Sequence, residues 1–252
     1  MGNSASIPIR VLQKEEAVKR LAEAEDIDNY QVECYEDRCN SYARRSYSYA
    51  ANTVSSIDHY NQLFRRLTQS VPNQLRDVGE LSIVLLMPSA DGGMPHTRPP
   101  NLICYPGELN ESKTTFVHEL CHVHQRKFPG VWKTIFAALG WTVWNGRLPD
   151  KLDSCRRYNP DTIDRPLWIF GEWVPIPVFR DCMNPVLGEV DIWFYHVNHE
   201  YHVKTVPEDM VIDLLPPSAY EHPREITAYL ISEPDRYRST AAYKIIRQFI
   251  DI

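Results

Sequence analysis

The sequence lacks the segments that would place the chain in or across a membrane. It contains no run of about 18 apolar residues, so no helix is expected to span a bilayer. It also lacks an amino-terminal charged segment followed by an apolar one, which is the pattern of a secretory signal. The formal net charge is -6 and Lys and Arg do not cluster, which argues against nucleic-acid binding. We therefore expect a soluble, cytosolic protein without a nucleic-acid partner.

Cysteines are few and show no pairing pattern. The six cysteines occupy positions 34, 39, 104, 121, 155 and 182, and none of them forms a Cys-x-x-Cys pair. This number is small for a disulfide scaffold, so reduced thiols are the default expectation. A disulfide between Cys155 and Cys182 is the alternative if the protein reaches an oxidising compartment.

The chain divides into three stretches by composition. Its 252 residues, 43% of them hydrophobic, suffice for one compact core or two small ones. Residues 1 to 9 are expected to form a flexible tail, residues 10 to 78 have apolar positions at helical spacing, and residues 79 to 252 are expected to form the functional core. Within that core, residues 141 to 217 are rich in Trp, Pro and β-branched residues, which indicates short strands. The predicted fold class is α+β.

Local patterns predict the elements of the core. Residues 81 to 87 and 101 to 105 are expected to be strands, with a Pro- and Gly-rich loop over residues 88 to 100. Polar residues from Asn110 onward offer N-caps for a helix that Pro129 and Gly130 end. Further along, residues 159 to 164 are expected to form a structural turn, and residues 190 to 204 a hairpin. Residues 168 to 170 and 173 to 179 are expected to be short strands that are broken by proline, which confines them to edges or bulges.

The predicted helix after Asn110 carries the sequence His118-Glu119-Leu120-Cys121-His122. Residues four apart on a helix lie about 40° from each other, so His118 and His122 can bind one zinc ion while Glu119 projects beside them. Zinc in a hydrolytic site needs nitrogen or carboxylate ligands and one open position, where water has its pKa lowered to about 7. The carboxylate of Glu119 can accept that water's proton. The motif thus predicts a zinc site for hydrolysis.

The third protein ligand is expected from a distant helix. Gln125 and Phe128 stand where an elongated metzincin motif would have Gly and His, so that class is excluded. Downstream, Pro223 favours the start of a helix that ends before Pro234, and this places Glu225 in the first turn. Glu225 is therefore the preferred ligand. Glu221 and His222, which precede this helix, remain alternatives.

These residues resemble those of the zincin metallopeptidases, in particular the gluzincin-like branch. The resemblance is carried by His118, Glu119 and His122 in the first helix and by Glu225 with Ala228 in a Glu-x-x-Ala setting. It covers a modest part of the chain. The segment after Glu225 lacks the Asn-Glu-x-x-Ser-Asp pattern of thermolysin-like enzymes, and the long segment between the two helices matches no named family.

The resemblance implies a zincin-like core with a helical amino-terminal region and a β-rich insert between the two ligand helices. It also implies a zinc-dependent peptide-bond hydrolase that acts on a peptide or protein, with Glu119 as general base and then acid. Tyr229 is the first candidate for a second catalytic group that stabilises the oxyanion, with Tyr220 and His222 as alternatives. The strand at residues 81 to 87 would bind the substrate backbone as an edge strand.

Other histidines and Cys121 are expected to have structural roles. Cys121 points away from His122 and is expected in the core, and His124 faces away from the metal side of the helix. His196, His199 and His202 alternate along the predicted hairpin, so we expect surface imidazoles there and no second zinc site.

The amino terminus matches the pattern for N-myristoylation, with Gly2 after Met1 and Ser at position 6. Acylation of Gly2 would place the chain in the cytoplasm of a eukaryotic host cell. There it would be free, attached to a membrane or part of a virion. One myristoyl chain binds membranes only marginally, so membrane contact would be reversible. An alternative function follows, in which the chain is a non-catalytic, myristoylated structural or scaffolding protein that retains a zincin fold.

Overall fold

A computed structural model of the chain describes residues 7 to 32, 49 to 163 and 167 to 251. Gly2, the predicted lipidation site, lies outside these residues, as do Cys34 and Cys39. Within the described residues, no helix is both long and apolar enough to cross a membrane. Helices and two separate sheets make up the structure, which confirms the predicted α+β class.

The first sheet contains the strands β1 (Ile9–Val11), β2 (Leu81–Leu86), β3 (His96–Arg98) and β4 (Leu102–Pro106). Their order is β1-β2-β4-β3; β1, β2 and β4 are parallel, and β3 is antiparallel to β4. β2 and β4 confirm the two predicted strands. The expectation that residues 81 to 87 offer a free edge to a substrate is wrong, because β1 and β4 pair with both sides of β2.

The strand β3 lies within residues 88 to 100, where the prediction of a loop is wrong. Arg98 is fully buried in this strand. Its guanidinium pairs with Asp28 at 2.6 Å and with Glu25 at 2.8 Å. Ion pairs to a distant helix therefore stabilise β3, whereas the apolar alternation that marks a half-buried strand is absent from its sequence.

The described part of the predicted helical region contains the helices α1 (Lys14–Asp28) and α2 (Ile57–Gln69). The prediction for residues 10 to 78 is wrong at its beginning, because the residues from Ile9 to Val11 pair with β2 as a parallel strand. Phe64 of α2 is fully buried in the main hydrophobic core. The helical region and the first sheet thus share one core.

The segment from His118 to His122 lies on α3 (Lys113–Lys127), and α4 (Pro129–Ala138) follows. The Thr115 backbone N–H donates to the side chain of Ser112 at 3.2 Å, so a polar N-cap begins α3 as predicted. Pro129 begins the next helix, which agrees with the predicted end of α3. Phe116 and Leu120 are fully buried in the main core and fix the orientation of α3.

The β-rich stretch forms a second, antiparallel sheet in the order β5-β6-β7-β8-β9. Its strands are β5 (Trp141–Trp144), β6 (Leu167–Phe170), β7 (Trp173–Phe179), β8 (Val190–His196) and β9 (Tyr201–Val203), and α5 (Asp150–Ser154) lies between β5 and β6. β8 and β9 confirm the predicted hairpin.

The strand β7 lies inside this sheet, so the expectation that its prolines confine it to an edge is wrong. β6 pairs with β7 only between Phe170 and Trp173, and the pairing ends before Pro175. Beyond that point, the carbonyl oxygen of Pro177 accepts from the backbone N–H of Arg157 at 2.8 Å. The side of β7 that lacks proline N–H donors therefore faces residues 155 to 157 instead of a full strand.

The chain ends in α6 (Pro223–Ser232), α7 (Pro234–Tyr237) and α8 (Ala241–Ile246). The bounds of α6 confirm the predicted helix between Pro223 and Pro234. α6 packs against α3, and Ile226 and Leu230 are buried in the same core as Leu120. This packing brings the first turn of α6 beside the motif on α3.

Cys155 and Cys182 form a disulfide, which was the alternative to reduced thiols. Cys155 follows α5, and Cys182 lies in the loop between β7 and β8. Cys104 and Cys121 are free and buried. The disulfide thus joins this loop to the residues that lead into the turn at Asn159.

Candidate metal centre

Three side chains from α3 and α6 converge at one point. Nε2 of His118 lies 3.1 Å from Nε2 of His122. The two carboxylate oxygens of Glu225 lie 3.2 Å from His118 Nε2 and 3.4 Å from His122 Nε2. The structure thus brings together all three predicted ligands, and among the described residues they are the one group of His, Cys, Asp and Glu side chains found to be able to hold a metal ion.

The distances among these atoms fit one tetrahedral ion. Donor atoms placed about 2 Å from a tetrahedral zinc ion lie about 3.3 Å from one another, which is close to the observed separations. Two imidazole nitrogens and a carboxylate oxygen are also a common donor set of catalytic zinc sites. The side chains therefore fit a zinc ion by geometry and by donor chemistry.

The fold holds Glu225 toward the histidines from its first helical turn. His222 is the N-cap of α6, and its Nδ1 accepts from the Arg224 backbone N–H at 3.0 Å. Pro223 occupies the first helical position, where its fixed backbone angle favours the helix. Glu221 and His222, the alternative ligands, do not belong to the metal-binding group.

Gln125 fixes the protonation of His122. Its amide nitrogen donates to the Arg224 carbonyl oxygen at 3.1 Å and to the Thr227 hydroxyl at 2.9 Å. The amide oxygen therefore faces His122 and lies 2.9 Å from its Nδ1. An oxygen acceptor at Nδ1 requires a proton there, so the neutral ring keeps the Nε2 lone pair for a metal.

Asn159 links the ligand Glu225 to a second carboxylate. Its amide nitrogen donates to Glu221 at 2.6 Å and to Glu225 at 3.1 Å. The guanidinium of Arg157 lies 3.6 Å from Glu221 on the other side. Asn159 belongs to the turn that the sequence predicts as merely structural, Arg157 precedes this turn, and Glu221 precedes α6. The sequence offers no local signal that Asn159 reaches a metal ligand.

Glu119 lies in the cleft with an unsatisfied oxygen. The residue is 4% exposed, and its Oε2 has no hydrogen-bond partner among the described residues. Burial and the carboxylate of Asp161 hold the pKa of Glu119 well above its usual range. A buried carboxylate oxygen without a partner is costly, and it is suited to bind a water molecule or a substrate donor.

Tyr229 is the tyrosine that the structure places at the metal centre. It lines the cleft, and its ring packs edge-on against His118 with ring centres 4.9 Å apart. Burial and the nearby Glu225 raise the pKa of the Tyr229 hydroxyl. The alternatives do not reach the cleft. Tyr220 binds the main chain of Ile212, and His222 lies against a separate small cavity.

The cleft that contains these groups has a volume of about 390 Å³. His118, Glu119, Glu225 and Tyr229 share its lining with charged and polar side chains from β3's flanks, the turn and α6. The lining also includes Asp91, Met94, Pro95, Arg157, Asp161, Glu221 and Glu233.

The structural roles predicted for Cys121 and His124 agree with their positions in the structure. Cys121 is fully buried in the core, and burial raises the pKa of its thiol well above the usual value. His124 accepts from the Trp132 indole N–H at 2.9 Å, away from the cleft. The expectation of surface imidazoles is wrong for His196, which is buried beside Trp173 because the hairpin folds over it.

No family model, characterised protein or solved structure matches the chain.

Proposed function

We propose that this protein is a zinc-dependent hydrolase of peptide bonds with a zincin-like core. The observation that carries the proposal is the position of Glu119. This carboxylate has a free buried oxygen in the same cleft as the group formed by His118, His122 and Glu225. A purely structural metal site has no use for such a base.

Each cleft residue has a role in this mechanism. Zinc, when bound, would polarise the substrate carbonyl and make water more acidic. A bound zinc ion would also lower the raised pKa of Glu119, and the ionised carboxylate then accepts the proton of the attacking water and donates it to the leaving amine. The Tyr229 hydroxyl, with its raised pKa, stays protonated at neutral pH and donates a hydrogen bond to the developing oxyanion. Gln125 and Asn159 position the ligands.

The test is digestion of a broad peptide library by purified, zinc-loaded protein. We expect cleavage by the wild type, and a loss of at least about a hundredfold in rate for Glu119→Gln, in the range for loss of a general base. Gln keeps the size of Glu but cannot accept the proton. The Glu111→Gln variant, changed at an exposed glutamate outside the cleft, serves as the matched control.

Two results would refute the proposal. One is the absence of cleavage by wild-type protein that carries one zinc per chain. The other is equal cleavage by wild type and Glu119→Gln. The first result would favour the alternative of a non-catalytic structural protein.

Acylation of Gly2 and its consequences for location stay predictions. Mass spectrometry of the amino terminus after eukaryotic expression tests them. A free or acetylated terminus would rule out myristoylation in that host, and with it the reversible membrane contact that we predict.

A further inference from the structure

The cleft beside the metal centre carries an excess of negative charge. Besides Glu119 and Glu225, its lining includes the carboxylates Asp91, Asp161, Glu221 and Glu233. Arg157 is the only Lys or Arg among the lining residues that the structure describes. One guanidinium and a divalent ion leave these carboxylates incompletely balanced, so the cleft favours a cationic ligand.

Most of these carboxylates already have partners. The guanidinium of Arg157 lies between Glu221, at 3.6 Å, and Asp91, at 3.9 Å. Glu233 pairs with Arg236 at 3.4 Å at the rim. Asp161 is different, because no cationic side chain of the described residues forms an ion pair with it.

Asp161 is a rigid, buried anion with one free oxygen. It is 4% exposed. Its Oδ1 accepts from the Thr97 backbone N–H at 2.7 Å and from the Thr97 hydroxyl at 2.5 Å. Among the described residues, no donor reaches Oδ2. Asp161 lines the cleft, and Oδ2 is not among the fully buried atoms that lack a partner, so this oxygen is open to the cleft and available to a donor supplied by a ligand.

Asp161 also blocks the edge of the first sheet. β3 is the edge strand on this side, and Met94 and Pro95 just before it line the cleft. The outward N–H of Thr97 is taken by Asp161. The residues of β3 are themselves buried, so a substrate can approach this edge only at Met94 and Pro95, and beyond them it meets the segment that carries Asp161.

We propose that Asp161 binds a substrate ammonium group next to the metal centre. The inference rests on the proposed hydrolase function and narrows its substrates. The ammonium belongs either to a free peptide amino terminus or to a lysine side chain near the scissile bond. Both are compact cations with several N–H donors, which suits one buried carboxylate oxygen.

Binding to the zinc-loaded Glu119→Gln protein tests this inference without hydrolysis. The probes are matched peptides: one with a free amino terminus and a lysine, one with the terminus acetylated, and one with the lysine acetylated. Acetylation of the amino group that Asp161 binds should lower the affinity at least tenfold. Acetylation of the other amino group should change the affinity little. The two acetylated peptides thereby distinguish the two sources of the ammonium.

Asp161→Asn, made in the same background, should remove most of this discrimination. Asn keeps an oxygen for Thr97 but loses the charge. Asp150→Asn, at an exposed aspartate paired with the exposed Arg147, is the matched control and should keep the discrimination. If Asp161→Asn fails to fold, the peptide comparison on the parent protein still decides.

Two results together would overturn the inference. The Glu119→Gln protein would bind all three peptides with equal affinity, and wild type would cleave all three equally at internal bonds. The hydrolase proposal would survive these results. If wild type cleaves none of the three peptides and the Glu119→Gln protein binds none of them, the hydrolase proposal fails and the inference fails with it.

Discussion

At the scale of single residues, the metal centre depends on side chains that do not touch the metal. Gln125 is fully buried, and each polar atom of its amide has a partner. Its orientation therefore cannot reverse without placing an N–H against the His122 Nδ1–H. The sequence predicts His118 and His122 because ligands four residues apart on a helix follow a local rule. Gln125 lies one helical turn after His122, so the same local rule could have predicted its contact with His122.

We predict that Gln125→Met weakens zinc binding by about ten- to a hundredfold, the range for loss of a residue that orients a metal ligand. Met has a similar size but cannot accept from His122. Competition with a zinc chelator measures the affinity. Gln62→Met, on the exposed face of α2, is the control and should bind zinc as wild type does. An affinity of Gln125→Met within twofold of wild type would contradict the role of this bond.

At the scale of elements, the packing of α3 against α4 depends on a neutral histidine. Burial lowers the pKa of His124 to about 4, and its Nδ1 accepts from Trp132 of α4. In the unfolded chain the pKa returns to about 6.5. Between these values the unfolded state binds a proton that the folded state does not, so acid favours unfolding.

The free energy of unfolding should therefore fall as the pH drops from about 6.5 to about 4. His124 contributes at most about 3 kcal/mol to this fall. We predict that metal-free His124→Asn loses less stability than wild type over this window, because Asn can accept from Trp132 without titrating. Urea unfolding at several pH values measures the difference. An identical pH dependence of the two proteins would refute the prediction. His59→Asn, at an exposed histidine, should behave as wild type.

Elements were predictable where local chemistry defines them. Pro223 and the polar N-cap Ser112 mark helix starts by local backbone geometry, and α6 and α3 begin there. β3 was missed because a buried ion pair with α1, distant in sequence, stabilises it. The central position of β7 was missed because residues 155 to 157 accommodate the prolines from outside the strand.

At the scale of the whole molecule, the disulfide between Cys155 and Cys182 closes a loop that includes the cleft residues Arg157, Asn159 and Asp161. A loop of 27 residues predicts about 3.5 kcal/mol of stabilisation through reduced entropy of the unfolded chain. No local pattern predicts that this loop reaches α6, so Asn159 and Asp161 could not be assigned to the site from the sequence.

We predict that a reducing agent lowers the free energy of unfolding of wild type by about 3.5 kcal/mol. The double variant Cys155→Ser, Cys182→Ser should already have the lower value and should not respond to the reductant. Denaturant unfolding with and without dithiothreitol checks this. Equal stability of wild type and the double variant under oxidising conditions would show that the disulfide does not stabilise the fold.

The central claim is that α3 and α6 together provide His118, His122 and Glu225 to one zinc ion. X-ray absorption at the zinc edge of the loaded protein tests it most directly. We predict one zinc per chain with nitrogen and oxygen ligands at about 2.0 to 2.2 Å, including two imidazoles. Sulfur ligands at about 2.3 Å, or an unchanged spectrum in Glu225→Ala, would contradict the account.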